Sequence, residues 1–514
     1  MRLLKTEKYK NTIYNRLFIT GIIAIIQVII FLVLFFRFLE VSVLVGSALY
    51  VLSLIFIIYL IGNDEPGAYK VSWIVIIHLL PLLGILLYLL WGEKSSSKKL
   101  NEKVNASVEE IKRYLKEDDE TNSSLYTENP RAYSTTTYLK AATHYPAFRG
   151  TDVKYFSLGE HYFHDMLEEL IKAEKFIFLE YFIVSEGYMW GEILSRLKQR
   201  AEAGVKVYIM YDDMGCITTL PWQYREELEN VHPNIKCGVF NRIKPIVGLV
   251  ANHRDHRKIL VIDGKIGFTG GINLADEYIN EVVRFGHWKD TGIRLEGPAV
   301  WGLTCLFIEM WNVASDIHLV PSEYKVETAY YENAGFVQPF GDNPLDDVTV
   351  GQNVYVDIIN QAKENIYIMT PYLILDDITK NALILAIRRG VDVNILTPGI
   401  PDKKAVFRIT RTNYISLLRA GAKVYEYTEG FLHAKSIVAD GTIGMIGTIN
   451  LDYRSLYLNF ECGVYMYNNP AITALEDDKK QTIAVSKRVE LEDVELGLGG
   501  RAINAILMIF APFM

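Results

Sequence analysis

One segment that occurs twice indicates both the fold and the chemistry of this chain. The first copy begins at His256-Arg257-Lys258-Ile259-Leu260-Val261-Ile262-Asp263 and continues through Gly270 to Asn273. The second begins at His433-Ala434-Lys435-Ser436-Ile437-Val438-Ala439-Asp440 and continues through Gly447 to Asn450. His, Lys, Asp, Gly and Asn fall at the same offsets in both copies, which indicates an internal repeat. We therefore expect one active site built from two half-sites.

The similarity between the two halves extends upstream of the motif. Residues 175–182 resemble residues 365–372, and residues 203–209 resemble residues 389–395. In both halves the pattern predicts helix, strand, helix, glycine and strand, and then the hairpin that carries the motif. This order predicts an α/β fold with two tandem lobes, over residues 136–321 and 322–480. The boundary falls where Pro and Gly cluster, within 322–347.

Each motif is predicted to be a strand that ends in a tight turn. His256 and Lys258 are two residues apart, so on a strand they point to the same face, as do His433 and Lys435. An Asp-Gly pair follows each strand and is a hairpin-turn signal. We therefore interpret Asp263 and Asp440 as residues that shape or brace the turn.

Two histidines, two lysines and the two asparagines Asn273 and Asn450 together favour the binding of an anion, most naturally a phosphate. The motif has no acidic cluster suited to magnesium, so we expect neither a metal nor another cofactor. One histidine can attack phosphorus while the other donates and accepts the proton. The lysines would offset charge that grows on the phosphoryl oxygens.

A catalytic imidazole is usually oriented by a carboxylate on its far nitrogen. Two acidic residues follow the motifs at suitable places. Asp290 comes after the first motif, and Glu461 lies in an apolar stretch after the second. We expect these two carboxylates to orient the histidines, although ordinary ion pairing is the alternative for Asp290.

The segments outside the lobes have their own character. Residues 17–36, 41–61 and 71–91 are apolar runs of about the length that crosses a bilayer. They predict a transmembrane anchor over residues 1–92 and a multi-pass location in the cell membrane. Lysines and arginines flank the anchor at both ends, which leaves the membrane face open. Residues 93–135 read as a polar linker with a helix over 104–115, and the tail 481–514 is expected on the membrane surface or docked on a lobe.

Composition narrows the class of protein further. The chain has 514 residues and a net charge of -8, from 53 basic and 61 acidic residues. This balance argues against a nucleic-acid partner, which requires a basic surface. The four cysteines are scattered in the sequence, so neither a zinc knuckle nor a disulfide scaffold is indicated. The oligomeric state is open.

The doubled motif, His-x-Lys-x4-Asp-x6-Gly-x2-Asn, resembles the signature of the phospholipase D superfamily over residues 136–480. Three further features are similar to its bacterial cardiolipin synthase branch. They are the hydrophobic N-terminal region, the segment 252–258, and the segment 450–461 with its Arg454-Ser455 pair.

The resemblance implies two lobes that share a central cleft, with His256 and His433 facing each other. It also implies a catalytic set that contains both His-Lys-Asp motifs, including Asp263 and Asp440, and that works without a metal. The implied reaction joins two phosphatidylglycerol molecules into cardiolipin and glycerol through a phosphohistidine. In the family the histidine of the first lobe is more often the nucleophile, which assigns that role to His256 and the acid/base role to His433.

Three alternatives remain at this point. A membrane phospholipase D that hydrolyses lipid to phosphatidic acid would carry the same residues. A nucleic-acid phosphodiesterase is disfavoured by the charge and the hydrophobic N-terminus. A non-catalytic membrane scaffold is disfavoured because both motifs are intact.

Overall fold

The structure is a computed structural model that describes residues 26, 29, 33, 43–92, 98–242 and 252–513. Residues 43–92 form three helices, α1 (Val43–Gly62), α2 (Gly67–Leu79) and α3 (Pro81–Trp91). In these ranges, no helix combines the length and the apolar character that a bilayer crossing requires.

The three predicted membrane spans have different outcomes in the structure. The run 17–36 lies outside the described residues except at positions 26, 29 and 33. The run 41–61 is helical and corresponds to α1, but the predicted span is not supported, because α1 does not meet the requirement for a bilayer crossing. The run 71–91 is wrong as a single span, because α2 ends before Leu80, which leaves the helical region with φ -134° and ψ 73°. Pro81 starts α3, and a proline disfavours helical geometry in the residue before it.

The predicted polar linker is also wrong, because most of it is folded onto the lobes. It forms α4 (Lys98–Lys112) and α5 (Asp119–Glu128), and α6 (Pro130–Thr143) follows across its predicted end. Val104 and Ile111, seven residues apart on one face of α4, are both buried. The Ser107 hydroxyl donates 2.7 Å to the carbonyl of Glu309 in the first lobe. The apolar stripe of α4 therefore packs against the first lobe, even though most residues of the segment are polar or charged.

The first lobe contains a seven-stranded sheet with strand order β2-β10-β8-β7-β3-β4-β5. Helices lie along both of its faces, and two short strands, β6 and β9, leave the sheet to meet the other lobe. The strands are β1 (Phe148–Arg149), β2 (Asp152–Phe156), β3 (Phe176–Tyr181), β4 (Lys206–Asp212), β5 (Ile235–Phe240), β6 (Arg254–Asp255), β7 (Lys258–Ile262), β8 (Ile266–Gly270), β9 (His287–Lys289) and β10 (Gly292–Glu296). The helices are α7 (Gly159–Leu170), α8 (Tyr188–Glu202), α9 (Tyr224–Glu229) and α10 (Val300–Ala314).

The second lobe repeats this arrangement in the order β1-β11-β18-β17-β16-β12-β13-β14-β19. Its strands are β11 (Phe336–Asp342), β12 (Asn365–Met369), β13 (Asp392–Pro398), β14 (Lys423–Tyr427), β15 (Gly430–Leu432), β16 (Ser436–Ala439), β17 (Ile443–Gly447), β18 (Asn459–Tyr467) and β19 (Ser486–Val489). Its helices are α11 (Val350–Gln361), α12 (Asp377–Arg388), α13 (Lys404–Ala420), α14 (Tyr453–Tyr457) and α15 (Ala471–Ala484). Two further helices follow in the C-terminal segment, α16 (Leu491–Val494) and α17 (Leu498–Phe510).

The two sheets match strand for strand, as the sequence repeat predicts. The run β10-β8-β7-β3-β4-β5 corresponds to β18-β17-β16-β12-β13-β14, and the motif strands β7 and β16 occupy equivalent places. The predicted lobe limits are less accurate. β1, from the first segment, pairs with β11 in the second sheet, and β19 extends that sheet past residue 480.

Two short parallel pairings join the lobes. β6 pairs with the start of β18, and β9 pairs with β15. In each case a strand that leads into or follows a motif of one lobe lies beside a strand of the other. Because backbone hydrogen bonds fix both pairings, they set the position of the cleft between the lobes.

Candidate active site

Each motif histidine comes directly after a short strand that pairs with the other lobe, His256 after β6 and His433 after β15. The backbone N–H of His256 donates 2.9 Å to the carbonyl of Phe460, and that of His433 donates 2.7 Å to the carbonyl of Lys289. Each histidine is thus tied by its main chain to the opposite lobe. Both side chains line one cleft of about 380 Å³ between the lobes. The structure brings the two half-sites together around a single space.

His256 is held by a carboxylate of the second lobe. Both carboxylate oxygens of Glu461 lie 2.9 Å from its Nδ1. Glu461 is fully buried, and burial raises its pKa to about 7, although the positive charge of Lys258 and its hydrogen bonds oppose the rise. This contact leaves Nε2 as the ring nitrogen available to the cleft.

His433 is held by a carboxylate of the first lobe. Oδ2 of Asp290 lies 2.6 Å from its Nδ1. Burial works against the charged form of Asp290, but the positive charges of His433 and Lys435 outweigh it, so the pKa of Asp290 stays below its usual value. The two carboxylates expected from the sequence are thus placed on the two histidines, each across the lobe boundary.

Three donors hold Glu461 in place, and the sequence reasoning did not assign this role to any of them. The hydroxyls of Thr448 and Ser455 donate to its two oxygens, and Nδ2 of Asn459 donates to it at 3.3 Å. These donors satisfy a buried carboxylate that would otherwise be costly. The signal was present in the sequence, since Ser455 and Asn459 lie in the segment that resembles the cardiolipin synthase branch.

The two motifs differ at one position for a steric reason. Gly271 stands where the second motif has Thr448. A Cβ on Gly271 would lie 2.1 Å from Oδ1 of Asp290. The Asp290 carboxylate therefore occupies the space that a side chain would fill, whereas on the other side Thr448 uses its side chain to bond Glu461.

The two lysines lie beneath the histidines and are buried. Nζ of Lys258 donates 2.6 Å to the carbonyl of His256, and Nζ of Lys435 donates to the carbonyl of His433. Burial lowers the pKa of Lys258 to about 8, and burial, together with the charge of Lys258, lowers that of Lys435 to about 7. Both retain donor hydrogens that an anion in the cleft could attract.

Asp263 and Asp440 do not line the cleft. The carboxylate of Asp263 accepts hydrogen bonds of 2.7–2.8 Å from the backbone amides of Glu174, Lys175 and Phe176. Asp440 accepts from the amides of residues 363–365 in the same way. Both sit in the left-handed region, with φ of 53° and 51°. This geometry favours the bracing interpretation, and the catalytic role that the resemblance implies for these two aspartates stays a prediction.

The two asparagines line the cleft but differ in their contacts. Asn273 accepts from the amide of Ile183 at 3.0 Å and donates to the hydroxyl of Tyr278 at 2.8 Å. The side-chain oxygen of Asn450 is buried and has no hydrogen-bond partner among the residues that the structure describes. The side chain of Asn273 therefore forms its hydrogen bonds within the protein, whereas the side-chain oxygen of Asn450 can still accept a hydrogen bond from a ligand.

The electrostatics of the cleft favour an incoming anion. Burial lowers the pKa of His256 well below its usual value, and the positive charges of Lys258 and Lys435 lower it further. Burial and the charge of Lys435 lower the pKa of His433 to about 4. A phosphodiester would reverse both effects, because its negative charge stabilises the protonated forms. Asp290 opposes the lowering at His433, because its negative charge and its hydrogen bond favour the protonated imidazole.

The chain is similar to known lipid enzymes over most of its length. Residues 355–482 match the family described as "Cardiolipin synthase, PLD-like domain", and residues 48–93 match "Phospholipase_D-nuclease N-terminal". A cardiolipin synthase of Geobacillus sp. (strain WCH70) is 32% identical over 502 residues, 96% of this chain and 99% of that protein. The major cardiolipin synthase ClsA of Bacillus subtilis (strain 168) is 32% identical over 465 residues, covering 88% of this chain and 95% of its own.

The chain belongs to the bacterial cardiolipin synthase family of the phospholipase D superfamily. It is an enzyme of the phosphatidyltransferase class. Among solved structures, the phosphatidylserine synthase of Haemophilus influenzae Rd KW20 matches with a TM-score of 0.55 and 14% identity, over 74% of this chain and 97% of that one. This likeness supports the two-lobed fold.

Proposed function

We propose that this protein synthesises cardiolipin by transferring the phosphatidyl group of one phosphatidylglycerol to the free hydroxyl of a second. The observation that carries the proposal is the pair of imidazole–carboxylate contacts, His256 with Glu461 and His433 with Asp290, on one cleft. Two imidazoles that each contact a carboxylate and line the same cleft suit a two-step transfer at phosphorus.

In the first step, Nε2 of His256 attacks the phosphorus of the donor lipid. A P–N bond forms, the bond to the glycerol oxygen breaks, and His433 gives its proton to that oxygen so that glycerol leaves. In the second step, His433 takes the proton of the acceptor hydroxyl, whose oxygen forms a new P–O bond. The P–N bond breaks and His256 returns to its neutral form.

The assignment of His256 as nucleophile rests on the difference between the two dyads. A nucleophile must be neutral, and burial together with the charges of both lysines lowers the pKa of His256 well below its usual value. His433 faces an aspartate that stays charged and can stabilise an imidazolium. Lys258 and Lys435 would stabilise the charge that develops on the phosphoryl oxygens.

Membrane attachment is proposed from apolar surface at both ends of the chain. On α1, Ile58 is 71% exposed, and at the start of α17 Leu498 is 86% exposed. The rings of Tyr69 in α2 and Phe513 beyond α17 lie 5.4 Å apart, so α2 contacts the segment that follows α17. Exposed apolar patches of this kind suit contact with lipid. Vesicle flotation of the full chain and of a Leu498→Glu, Ile506→Glu variant tests the role of the tail.

The decisive experiment follows both products of one reaction. Purified protein is incubated with vesicles of phosphatidylglycerol that carries labelled glycerol in its headgroup. One glycerol released for each cardiolipin formed is the expected result. Phosphatidic acid as the main product would instead favour a phospholipase D. The His433→Ala variant, quenched early, is then examined for acid-labile phosphate on His256, and its absence in both single histidine variants would argue against a covalent intermediate.

A further inference from the structure

We infer that Arg454 and Lys403 form a subsite for the phosphate of the acceptor lipid, separate from the His-Lys pairs that hold the reacting phosphate. The inference rests on the proposed function and deepens it, because only a transfer between two phospholipids brings a second phosphodiester into the cleft. We call this pair of cations the acceptor subsite.

Arg454 is a largely buried cation on the cleft wall beside His256. Among the residues that the structure describes, it forms no ion pair, and its guanidinium donates 3.1 Å to the backbone carbonyl of Asn252. Burial lowers its pKa, although nearby Asp452 and Asp212 oppose the shift. A guanidinium has five N–H donors in a planar fork that fits a phosphate. Most of these donors are not used by the protein contact.

Lys403 is an exposed cation that lines the same cleft. Its Nζ lies 5.5 Å from the ring centre of Tyr372. Lys403, Arg454 and Asp452 all line the cleft. The positive charges of both cations oppose the rise that burial causes in the pKa of Asp452. That carboxylate is already bonded to the amide of Ser455 at 2.8 Å, and it forms no ion pair with either cation within the described residues.

A third cation on the cleft wall differs from this pair. Arg284 donates 3.0 Å to the carboxylate of Glu277 and lies 5.4 Å from the ring centre of Phe285. Its charge is therefore offset within the protein. Within the described residues Arg454 and Lys403 form no such ion pair. They are therefore the better candidates to contact a second anion.

The acceptor subsite lies beside the apolar ends of the chain. Ile374 and Val406, which also line the cleft, pack in one cluster with Ala68 of α2 and with Leu507 and Ala511 at the C-terminal end. A lipid whose acyl chains lie along these helices would present its phosphate at Arg454.

The chemistry of the second step explains why such a subsite is required. The acceptor hydroxyl oxygen attacks the phosphorus on His256, the P–N bond breaks, and His433 receives the proton. The acceptor carries its own phosphodiester three carbons away from that hydroxyl. Two anions in one cleft repel each other unless cations separate from the first set offset the second charge. Glycerol or water as acceptor has no such need.

The test compares two reactions of the same full-length protein in phosphatidylglycerol vesicles. Cardiolipin formation needs the acceptor phosphate, whereas exchange of labelled free glycerol into phosphatidylglycerol uses the donor site alone. In Arg454→Ala and in Lys403→Ala, we expect cardiolipin formation to fall about 10- to 100-fold, as for the loss of a charged hydrogen bond. Glycerol exchange should stay within about twofold, and Arg454→Lys should recover part of the loss because it keeps the charge.

Lys404→Ala is the matched control, since it removes the same charge from the next residue, which is exposed and does not line the cleft. An equal fall of both reactions in both alanine variants would overturn the acceptor subsite, as would unchanged cardiolipin formation. Retained exchange shows that a variant is folded. Failure of the wild type to make cardiolipin while it makes phosphatidic acid would instead refute the proposed function.

Discussion

The carboxylate of Asp290 lies 2.6 Å from Nδ1 of His433, and these two residues belong to different lobes. Glu461 and His256 make the reciprocal contact at 2.9 Å. Each lobe therefore supplies the histidine of one dyad and the carboxylate of the other. Neither lobe alone contains a complete imidazole–carboxylate pair, so the chemistry depends on how the lobes are docked.

The first prediction concerns the carboxylate that the first lobe supplies to the histidine of the second. Asp290→Asn keeps the size of the side chain but removes the charge that stabilises a protonated His433. We expect turnover to fall about 10⁴-fold, as for the equivalent change in a serine protease triad. Steady-state cardiolipin formation measures the effect.

Asp392→Asn is the matched control, because Asp392 is a partly exposed aspartate that pairs with Lys423 at 2.8 Å and does not line the cleft. It should retain turnover within about twofold. Equal activity of Asp290→Asn and the wild type would refute the role of Asp290 as the positioning group of the acid/base.

The second prediction concerns the difference between the motifs. Gly271→Ala places a methyl group 2.1 Å from Oδ1 of Asp290 and must displace that carboxylate from His433. Turnover should fall at least about tenfold, while the thermal unfolding midpoint changes little. Gly191 lies within α8, and a methyl group there would meet no heavy atom within 4 Å other than the backbone of its own helix and its chain neighbours. Gly191→Ala should therefore leave activity unchanged. Full activity of Gly271→Ala would show that Asp290 does not need its present position.

The repeated motif was sufficient to predict the duplicated α/β fold and the shared cleft. The Asp-Gly pairs mark the turns because a turn is a local property of the chain. The predicted strands are too long at their starts, since β7 begins at Lys258 and β16 at Ser436, which leaves His256, His433 and Lys435 outside them. The exchange of carboxylates between lobes could not be predicted in this way, because the β6–β18 and β9–β15 pairings join residues far apart in sequence. The packing of α4 was missed because its apolar stripe is short and lies among many charges.

The third prediction separates bracing from catalysis. Asp263 accepts from three backbone amides, of which that of Phe176 is buried, so Asp263→Ala removes three hydrogen bonds and should destabilise the protein by about 3 kcal/mol. Asp440→Ala should act in the same direction. The unfolding midpoint, measured by calorimetry, should fall, whereas activity per folded molecule should stay near that of the wild type. Loss of activity without loss of stability would return these aspartates to the catalytic set.

The last prediction concerns proton uptake when an anion binds. In the ligand-free cleft, burial lowers the pKa of Lys258 to about 8 and that of Lys435 to about 7. At pH 8 much of this pair is therefore neutral. An anion stabilises the charged form and raises both pKa values, so binding must draw protons from the buffer. Affinity for the anion should then fall as pH rises from about 7 to 9.

Sulfate suits this measurement because it does not titrate in that range. Calorimetric titration at pH 8 in two buffers of different ionisation enthalpy gives the number of protons taken up for each sulfate bound. The count should be positive in the wild type and smaller in Lys435→Met, which keeps the length of the side chain without its charge. Proton release, or an affinity that does not change between pH 7 and 9, would contradict the idea that these buried lysines charge as the phosphate arrives.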